Sequence, residues 1–459
     1  MTTHDIELPV VGESMSEGYV RVRITKRIDD QEIIYEGIKL PKHRFSGKNI
    51  LIIKLDNGYN IGVKIDENTS VEEMGHIEIP SVDLSSEIGQ PVKPQPGHVS
   101  ILGCGGTIGS RIDYMTGGVY PLLTAEGLVS QFPEIKKIDN NPVVENVFMI
   151  FSENFQPQNW SILAERVYEH IRDGAQGIVI THGTDTLHYT SAALSFMLQN
   201  LPVPVVLTGA QRSSDRGSSD AKMNLLSSLA SARHNITEVM VCMHATVNDD
   251  YCYLHRGTRV RKLHTSRRDA FKSVNIPPLA KVEYPRLRIT EVHDNIIGRH
   301  HRGEFSVKDM KFDNRVNENV VMLYVYPGID SNKLTDYLSR FDGVVLVGTG
   351  LGHVPIGTDD RHDFKPVIES LIESDIPVVM SSQTIFGRLN LNVYRTGRIL
   401  RELGVIGHLC DWTPETAYVK LSWVLGHEKD LRRVRQEMET NLVGELSDRS
   451  IYLQTDQEV

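Results

Sequence analysis

Threonine, aspartate and lysine side chains follow apolar runs in the middle of the sequence. Thr184 and Asp185 come after the run GIVI at residues 177–180, and Thr107 follows the run VSIL in a glycine-rich turn. Lys262 lies in a basic loop beyond MVCMHATVNDD. A threonine hydroxyl is a weak nucleophile that needs a neighbouring base, and a lysine can be that base once burial lowers its pKa. This set of residue types is typical of amide or ester hydrolysis.

The surroundings of these residues fit the same chemistry. Asp185 would orient the lysine, and the glycines beside Thr107 would let a substrate approach the backbone and offer N–H groups to a developing oxyanion. In open α/β sheets, ligands bind beyond the carboxyl ends of the strands. We therefore expect these side chains to meet at one sheet edge.

The elements that would position them alternate between strand-like runs and helical patterns. From about residue 98 to 316, apolar runs end at polar residues or glycines and are separated by helical segments such as NWSILAERVYEHIRDG. The same alternation returns on a smaller scale over residues 317–435, with FDGVVLVGTG and IPVVMSS as strands. The pattern predicts an α/β fold, a two-lobe parallel-sheet domain followed by a tail at residues 436–459.

The first 90 residues differ from the rest. Short β-branched runs alternate with turn residues, and Asp56, Asn57 and Gly58 predict a tight hairpin, because Asn-Gly supplies the positive φ of such a turn. We predict a small all-β barrel module over residues 1–90. The proline-rich stretch GQPVKPQPGH predicts a semi-rigid linker at residues 91–97.

Composition excludes several classes of protein. The chain has 459 residues, 40% of them hydrophobic and 24% charged, which suits a globular protein. A net charge of −10 gives no general attraction to nucleic acid or to an anionic membrane. The four cysteines are far apart, without a C-x-x-C pair, so a zinc site or disulfide framework is not expected. Without a signal-like start or a long apolar run, we predict a cytoplasmic location and no membrane contact.

Competing motifs are incomplete. Gly103 and Gly105 have the spacing of a dinucleotide fingerprint, but Ile108 occupies the position of the third glycine. The Gly-Lys pair at Lys48 lacks the rest of a Walker A loop, and HEKDL has Leu431 where a zinc protease helix has its second histidine. There is also no G-x-S-x-G elbow. Nucleotide binding and zinc catalysis are therefore not predicted for this chain.

Other features allow two interpretations. A turn such as GCGGT is also typical of a packing or phosphate turn. We interpret His182, at a strand end, as a structural residue and not as the base. The run RGTRVRKLHTSRR contains six Lys and Arg and fits a solvated loop and an RNA-facing patch equally well. The cysteines are interpreted as small core residues.

Four segments in this order resemble the bacterial-type L-asparaginase family: GGTIGS, THGTDT, LTGAQR and RKLHTSRRDAFKS. The resemblance covers residues 98–435 and implies an asparaginase-like fold. It implies that Thr107, Thr184, Asp185 and Lys262 form the catalytic group, with either threonine as the first nucleophile.

The resemblance also implies substrate-binding residues. Ser152 and Glu153, in FSENF, match positions that bind the α-carboxylate and α-amine of the substrate, and Asp185 would share the amine. Tyr114 matches a residue of the lid region, and Tyr120 is an equally good match. A metal site is not implied on this chain.

The N-terminal module resembles that of the D subunits of archaeal-type glutamyl-tRNA(Gln) amidotransferases, through YEGIKLP and ILIIKLDNGYNIGVKI. This resemblance implies a glutaminase that forms a homodimer through its asparaginase-like domain and a heterotetramer with an E subunit. The E subunit would bind Glu-tRNA(Gln), use ATP and Mg²⁺, and receive the ammonia released from L-glutamine. No cofactor is implied for this chain.

Three functions remain open. The first is the glutaminase subunit of a tRNA-dependent amidotransferase, and the second is a free-standing L-asparaginase or glutaminase with an accessory barrel. The third is a catalytically silent RNA-binding scaffold, against which the complete catalytic set argues. Only the N-terminal module discriminates between the first two.

Overall fold

The chain is described here from a computed structural model. Its described residues form two compact units, one made of the N-terminal strands and one made of most elements from Val99 onward. None of the helices in these residues is long and apolar enough to cross a membrane. The described residues are 19–28, 31–40, 47, 49–55, 60–77, 97–106, 108, 110–112, 119–121, 127, 131–214, 218–292, 298–357 and 361–451.

The N-terminal unit is an antiparallel five-stranded sheet in the order β4-β3-β2-β1-β5. Alternating residues of its strands form a small core of Val22, Ile24, Ile53 and Val63, which confirms the all-β prediction. The predicted turn at residues 56–58 lies outside the described residues, as do positions 91–96 of the predicted linker. The strands are β1 (Tyr19–Ile28), β2 (Gln31–Lys39), β3 (Ile50–Leu55), β4 (Asn60–Lys64) and β5 (Thr69–Ile77).

The second unit is built on an eight-stranded sheet. Its strands are β6 (Val99–Gly105), β9 (Val143–Ile150), β10 (Gly177–Thr181), β12 (Val205–Thr208), β13 (Val239–His244), β14 (Tyr251–Arg256), β17 (Ala280–Glu283) and β18 (Arg288–Glu291). Four short strands, β7 (Ser110–Ile112), β8 (Val119–Pro121), β11 (Leu198–Gln199) and β19 (Lys311–Phe312), form two separate two-stranded sheets.

The order of the large sheet is β18-β17-β14-β13-β12-β10-β6-β9. Strands β9, β6, β10, β12 and β13 are parallel, as the sequence predicts, but β14, β17 and β18 are antiparallel. The runs from which the sequence predicts a parallel sheet form its parallel strands, whereas the antiparallel edge strands were not predicted. The short connection between β13 and β14 turns the chain back on itself, whereas a parallel neighbour needs a crossover of a dozen or more residues.

Helices cover both faces of the large sheet: α1 (Ile135–Ile138), α2 (Pro157–Arg172), α3 (Leu187–Met197) and α4 (Ala221–Ala232). Strand β10 is therefore buried on both faces. Ile178 and Ile180 lie in the core cluster that includes α2 and α3, while Val179 lies in the cluster that includes α4. Burial on both faces explains its uninterrupted apolar sequence.

A smaller parallel sheet follows, with the order β20-β21-β22 and strands β20 (Val320–Tyr324), β21 (Gly343–Gly348) and β22 (Val378–Ser382). This smaller lobe confirms the predicted two-lobe α/β fold. The predicted boundary at residue 435 falls inside the last helix, and a buried ion pair between Lys420 and Glu445 (2.6 Å) holds the chain beyond it. The helices of the smaller lobe are α5 (Thr335–Leu338), α6 (Lys365–Glu373), α7 (Arg395–Leu403), α8 (Pro414–Val424) and α9 (Leu431–Glu439).

Buried neutral histidines make this fold sensitive to acid. His255, on β14, is fully buried, and its Nδ1 lies 2.7 Å from the Ser273 hydroxyl. Burial, helped by the positive charge of Lys272, lowers the His255 pKa to about 3. In the unfolded chain a histidine protonates near about pH 6.5. The folded state therefore gains stability from His255 above that pH and loses it as the pH falls from 6.5 toward 3.

We expect this residue alone to cost the folded state about 2 kcal/mol between pH 7 and pH 5, because the unfolded histidine gains a proton that the folded one does not. The variant His255→Gln should be less stable at pH 7 but lose less stability on acidification. Urea unfolding at both pH values measures the two differences. The same loss in the variant and the wild type would contradict the assignment.

Candidate active site

The carboxyl ends of β6, β10 and β12 meet at one edge of the large sheet. In the parallel register, Thr181 at the end of β10 lies opposite Gly103 of β6 on one side and Thr208 of β12 on the other. Gly105 and Gly106, which begin the segment GGTIGS, therefore lie beside the segment THGTDT, as the position of strand ends in an open sheet predicts.

Glycines allow these loops to pack backbone against backbone. Gly106 has a φ of +77°, and a Cβ added there would lie 2.3 Å from both the nitrogen and the Cα of Gly183. A Cβ on Gly183 would in turn lie 2.7 Å from the Cβ of Ser152. Neither backbone atoms nor a Cβ can give way as the end of a flexible side chain can, so both positions require glycine.

Three of the four predicted catalytic residues meet at this edge. Lys262 ends the short strand β15 (Val260–Lys262), which pairs with β16 (Phe271–Ser273). Its Nζ donates hydrogen bonds to the Thr184 hydroxyl oxygen (2.9 Å) and to the Asp185 carboxylate (2.8 Å). Thr184 is buried, and the Lys262 side chain is 9% exposed. The Asp185 side chain is 65% exposed, so it faces the solvent from which a substrate would arrive.

This geometry suits proton transfer between a threonine hydroxyl and an amine. An ammonium buried without a partner would be costly, and Asp185 offsets that cost while it holds the Nζ in place. Thr184 and Asp185 lie just before Thr186, the N-cap of α3, and the amino end of a helix favours negative charge nearby. The site can therefore stabilise a developing anion and move a proton at the same place.

Two of the three predicted substrate-binding residues, Ser152 and Glu153, lie in the loop after β9. Ser152 is buried and begins a one-turn 3-10 helix, Ser152–Asn154, in which Glu153 is exposed. The Thr186 hydroxyl donates to the Ser152 carbonyl (2.7 Å) and so joins this loop to the segment that carries Thr184.

Two predicted site residues, Thr107 and Tyr114, lie outside the described residues, as does the side chain of Tyr120. Their roles stay predictions.

His182 fits its structural interpretation. Its Nδ1 donates to the Gly183 carbonyl (2.7 Å), and its Nε2 accepts from Thr190 (3.0 Å), so both ring nitrogens are used. The ring is fully buried, with its centroid 4.4 Å from that of Phe155. Burial lowers the His182 pKa to about 4, although the hydrogen bond to Gly183 acts to raise it. Its contacts hold the loop that presents Thr184.

Three ionisable residues around Lys262 were not predicted from the sequence. His188 is buried, and burial, together with the charges of Arg261 and Lys262, lowers its pKa to about 3. Arg261 forms an ion pair with Glu415 of α8 (2.9 Å). His188 lies four residues after Thr184, at the start of α3, which is a usable local signal. Glu415 belongs to the other lobe, and no local pattern connects it to Lys262.

Cysteine and metal chemistry find no support at this edge. Cys104 is free and buried, and burial raises its pKa, which disfavours the reactive thiolate. Within the described ranges, no three His, Cys, Asp or Glu side chains are grouped so that they could hold a metal ion.

A cavity of about 860 Å³ lies near the amino ends of β12 and β13. Its lining includes Leu201, Glu238 and Asn441 but neither Thr184 nor Lys262. It is therefore separate from the site at the carboxyl ends.

Comparison with known proteins places each part of the chain. Residues 98–294 match the family model "Asparaginase, N-terminal", residues 319–438 match "Glutaminase/Asparaginase C-terminal domain", and residues 21–74 match "GatD N-terminal domain". Among solved structures, the L-asparaginase from Thermococcus kodakarensis aligns with a TM-score of 0.66 and 33% identity. L-asparaginase I from Vibrio cholerae aligns with a TM-score of 0.64 and 27% identity. Both alignments cover 77% of this chain and 100% of the other.

Curated relatives match over nearly the full length. The D subunit of the glutamyl-tRNA(Gln) amidotransferase of Pyrococcus abyssi is 47% identical over 432 residues, which are 93% of this chain and 94% of that protein. The corresponding D subunit of Methanobrevibacter smithii is 45% identical over 433 residues, with the same coverage. The chain, with its asparaginase-type lobes and its N-terminal module, thus belongs to the family of glutamyl-tRNA(Gln) amidotransferase D subunits.

Proposed function

We propose that this chain hydrolyses the side-chain amide of L-glutamine and supplies the ammonia to a partner subunit, which converts Glu-tRNA(Gln) to Gln-tRNA(Gln). The observation that carries the proposal is the contact of the Lys262 Nζ with Thr184 and Asp185 at the strand ends. Membership of the D-subunit family supports glutamine as the ammonia source and tRNA-bound glutamate as the acceptor.

In the proposed reaction, the hydroxyl oxygen of Thr107 or Thr184 attacks the amide carbon of the substrate. In its uncharged amine form, Lys262 accepts the hydroxyl proton and becomes an ammonium that Asp185 stabilises. It then passes the proton to the departing nitrogen, so the C–N bond breaks and ammonia leaves. A glutamyl ester remains on the threonine until water hydrolyses it and restores the hydroxyl. Each step conserves protons and needs no oxidant, reductant or metal on this chain.

The substrate's α-groups would be bound beside the reacting carbon. In this proposal Ser152 binds the α-carboxylate, while Glu153 and Asp185 bind the α-ammonium, with Tyr114 in the lid. The exposure of Asp185 and Glu153 supports a role at the solvent side of the site. Asp185 would thus contact both the lysine and the substrate.

The proposed partner is the E subunit, which binds Glu-tRNA(Gln) and uses ATP and Mg²⁺. The incomplete nucleotide motifs of this chain and its net charge of −10 support that division of work. We further propose a homodimer through the asparaginase-like domain, assembled with the E subunit into a cytoplasmic heterotetramer.

A free-standing L-asparaginase is the second candidate. It is favoured by one observation, that solved L-asparaginases align over 100% of their own length. The additional N-terminal module, matched at residues 21–74, argues against a free-standing L-asparaginase, since relatives that align over nearly the full length share it. A silent scaffold is a weaker alternative, because a scaffold has no physical reason to keep a buried lysine on a threonine hydroxyl.

Replacing the lysine tests the proposed base. We expect Lys262→Met to lower kcat for glutamine hydrolysis by about 10²- to 10⁴-fold, the usual contribution of a positioned acid or base. Lys272→Met is the matched control, since Lys272 lies opposite Arg261 on the paired strand β16 and its replacement removes the same charge. Ammonia release measures both variants. Equal activity of the two would remove Lys262 from the mechanism.

Glutamine hydrolysis is also expected to depend on the close contact between Gly106 and Gly183. In Gly106→Ala the new Cβ must displace the Gly183 backbone, and a shift of about 1 Å at a reacting group costs about 10²-fold in rate. The control Gly303→Ala carries similar backbone strain (φ +90°) but meets no atom within 4 Å. Glutaminase assays of the folded variants should separate them. A fully active Gly106→Ala would show that the loops do not need this close packing.

The partner distinguishes the two candidate enzymes. We expect weak glutamine hydrolysis by the isolated chain and a strong increase when the E subunit and Glu-tRNA(Gln) are added, because ammonia is useful only when an acceptor is present. Ammonia release from glutamine and asparagine, with and without the partner, measures this. Rapid, partner-independent asparagine hydrolysis would instead identify a free-standing asparaginase.

A further inference from the structure

The strand that carries Lys262 is held from its other side by the smaller lobe. Successive side chains of a strand point in opposite directions, so Lys262 reaches Thr184 while its neighbour Arg261 points away from it. Arg261 Nη2 lies 2.9 Å from Glu415 Oε1, at the start of α8, and also donates to the Tyr324 hydroxyl (3.3 Å). One strand thus joins the site to two elements of the smaller lobe.

A second arginine strengthens this attachment. The side chain of Arg259 is buried and binds Asp411 through both its carboxylate (3.1 Å) and its carbonyl (2.9 Å). Arg259 also donates to the Gly444 carbonyl (2.9 Å) and the Ser447 hydroxyl (2.8 Å). Arg259 and Arg261, two residues apart, therefore both bind the smaller lobe.

We propose that Glu415 is a positioning residue for the hydrolysis of glutamine, an inference that rests on the proposed function. By holding Arg261, it fixes the backbone of β15 so that the Lys262 Nζ stays within hydrogen-bond distance of Thr184 and Asp185. Glu415 acts through Arg261 and not on the substrate. The smaller lobe would then determine how often the lysine is in its reactive position.

The burial of Glu415 decides which variant tests this best. Its side chain is 4% exposed, and burial raises its pKa, with the charge of Arg261 opposing the rise. Removing Arg261 would leave a buried, unpaired carboxylate, which is strongly destabilising. Removing the charge of Glu415 leaves Arg261, whose side chain is 20% exposed and can be hydrated. Glu415→Gln, of nearly the same shape, is therefore the cleaner change.

A comparable ion pair, between the last residue of β14 and the residue before β13, provides the control. Arg256 Nε lies 2.7 Å from Glu238 Oε2, with side chains 7% and 10% exposed. Arg256 ends β14, and neither residue of this pair belongs to β15. Glu238→Gln therefore removes a buried ion pair near the same segment without releasing the strand that carries Lys262.

The test measures kcat and KM for glutamine with the full chain and its E subunit. We expect Glu415→Gln to lower kcat about 10-fold or more with KM changed less than about 2-fold, since misplacing a reacting group slows the chemical step. Glu238→Gln should keep kcat within about 2-fold at a similar loss of Tm. In a Lys262→Met background, Glu415→Gln should have no further effect, because the positioned group is already absent.

Equal kcat values for Glu415→Gln and Glu238→Gln would overturn the positioning role. If Glu415→Gln does not fold, Arg261→Lys tests the same link, because it keeps the positive charge beside Glu415 but shortens its reach. A reduced kcat at unchanged KM is then expected, and a wild-type kcat would overturn the proposal. A wild-type complex that hydrolyses neither glutamine nor asparagine would overturn the proposed function itself, a distinguishable result.

Discussion

The hydrogen bonds from Lys262 to Thr184 and Asp185 join two separate parts of the large lobe, and the rest of the site is arranged around them. Thr184 depends on the end of β10, whose parallel neighbours fix its position at the sheet edge. Lys262 depends on the short pair of strands β15 and β16, which lies in the chain between β14 and β17 of the same sheet. Because β14 ends beside the start of β13, the segment from Gly257 to Lys262 must return the amine to the parallel strand ends.

Electrostatics explain why this contact needs support from several sides. A lysine that is only 9% exposed has lost most of its hydration, and Asp185 compensates for that loss without being buried itself. The nearby His188 carries no charge at neutral pH, because its pKa is lowered to about 3. His188 therefore adds no positive charge beside Arg261, and Glu415 pairs with that arginine from the smaller lobe.

Much of the fold was predictable because the signals are local. The apolar runs that become β6, β10, β12 and β13 are buried on both faces, and such strands have an uninterrupted apolar sequence. The position of Thr184 and Asp185 directly after β10 then follows from the sheet rule. Lys262 was predicted through the family resemblance, since a lysine in a basic run has no distinguishing local pattern.

Other features of the structure depend on contacts between distant segments, which the periodicity of a sequence does not report. The antiparallel placement of β14, β17 and β18 is a pairing choice, and the contact between Arg261 and Glu415 crosses from one lobe to the other. The segment around Glu445 was predicted to be a tail, yet its carboxylate is the partner of a fully buried lysine, Lys420. Each of these features is decided by tertiary burial.

Trapping the covalent intermediate would test threonine catalysis at this sheet edge without relying on a variant alone. The complex would be mixed with glutamine, quenched in acid within a turnover, digested and mapped by mass spectrometry. We predict a glutamyl ester on the peptide that contains Thr107 or the one that contains Thr184, and its absence in Lys262→Met. Ammonia production with an acyl group on Cys104, or on no residue while single-turnover kinetics show a burst, would contradict threonine catalysis.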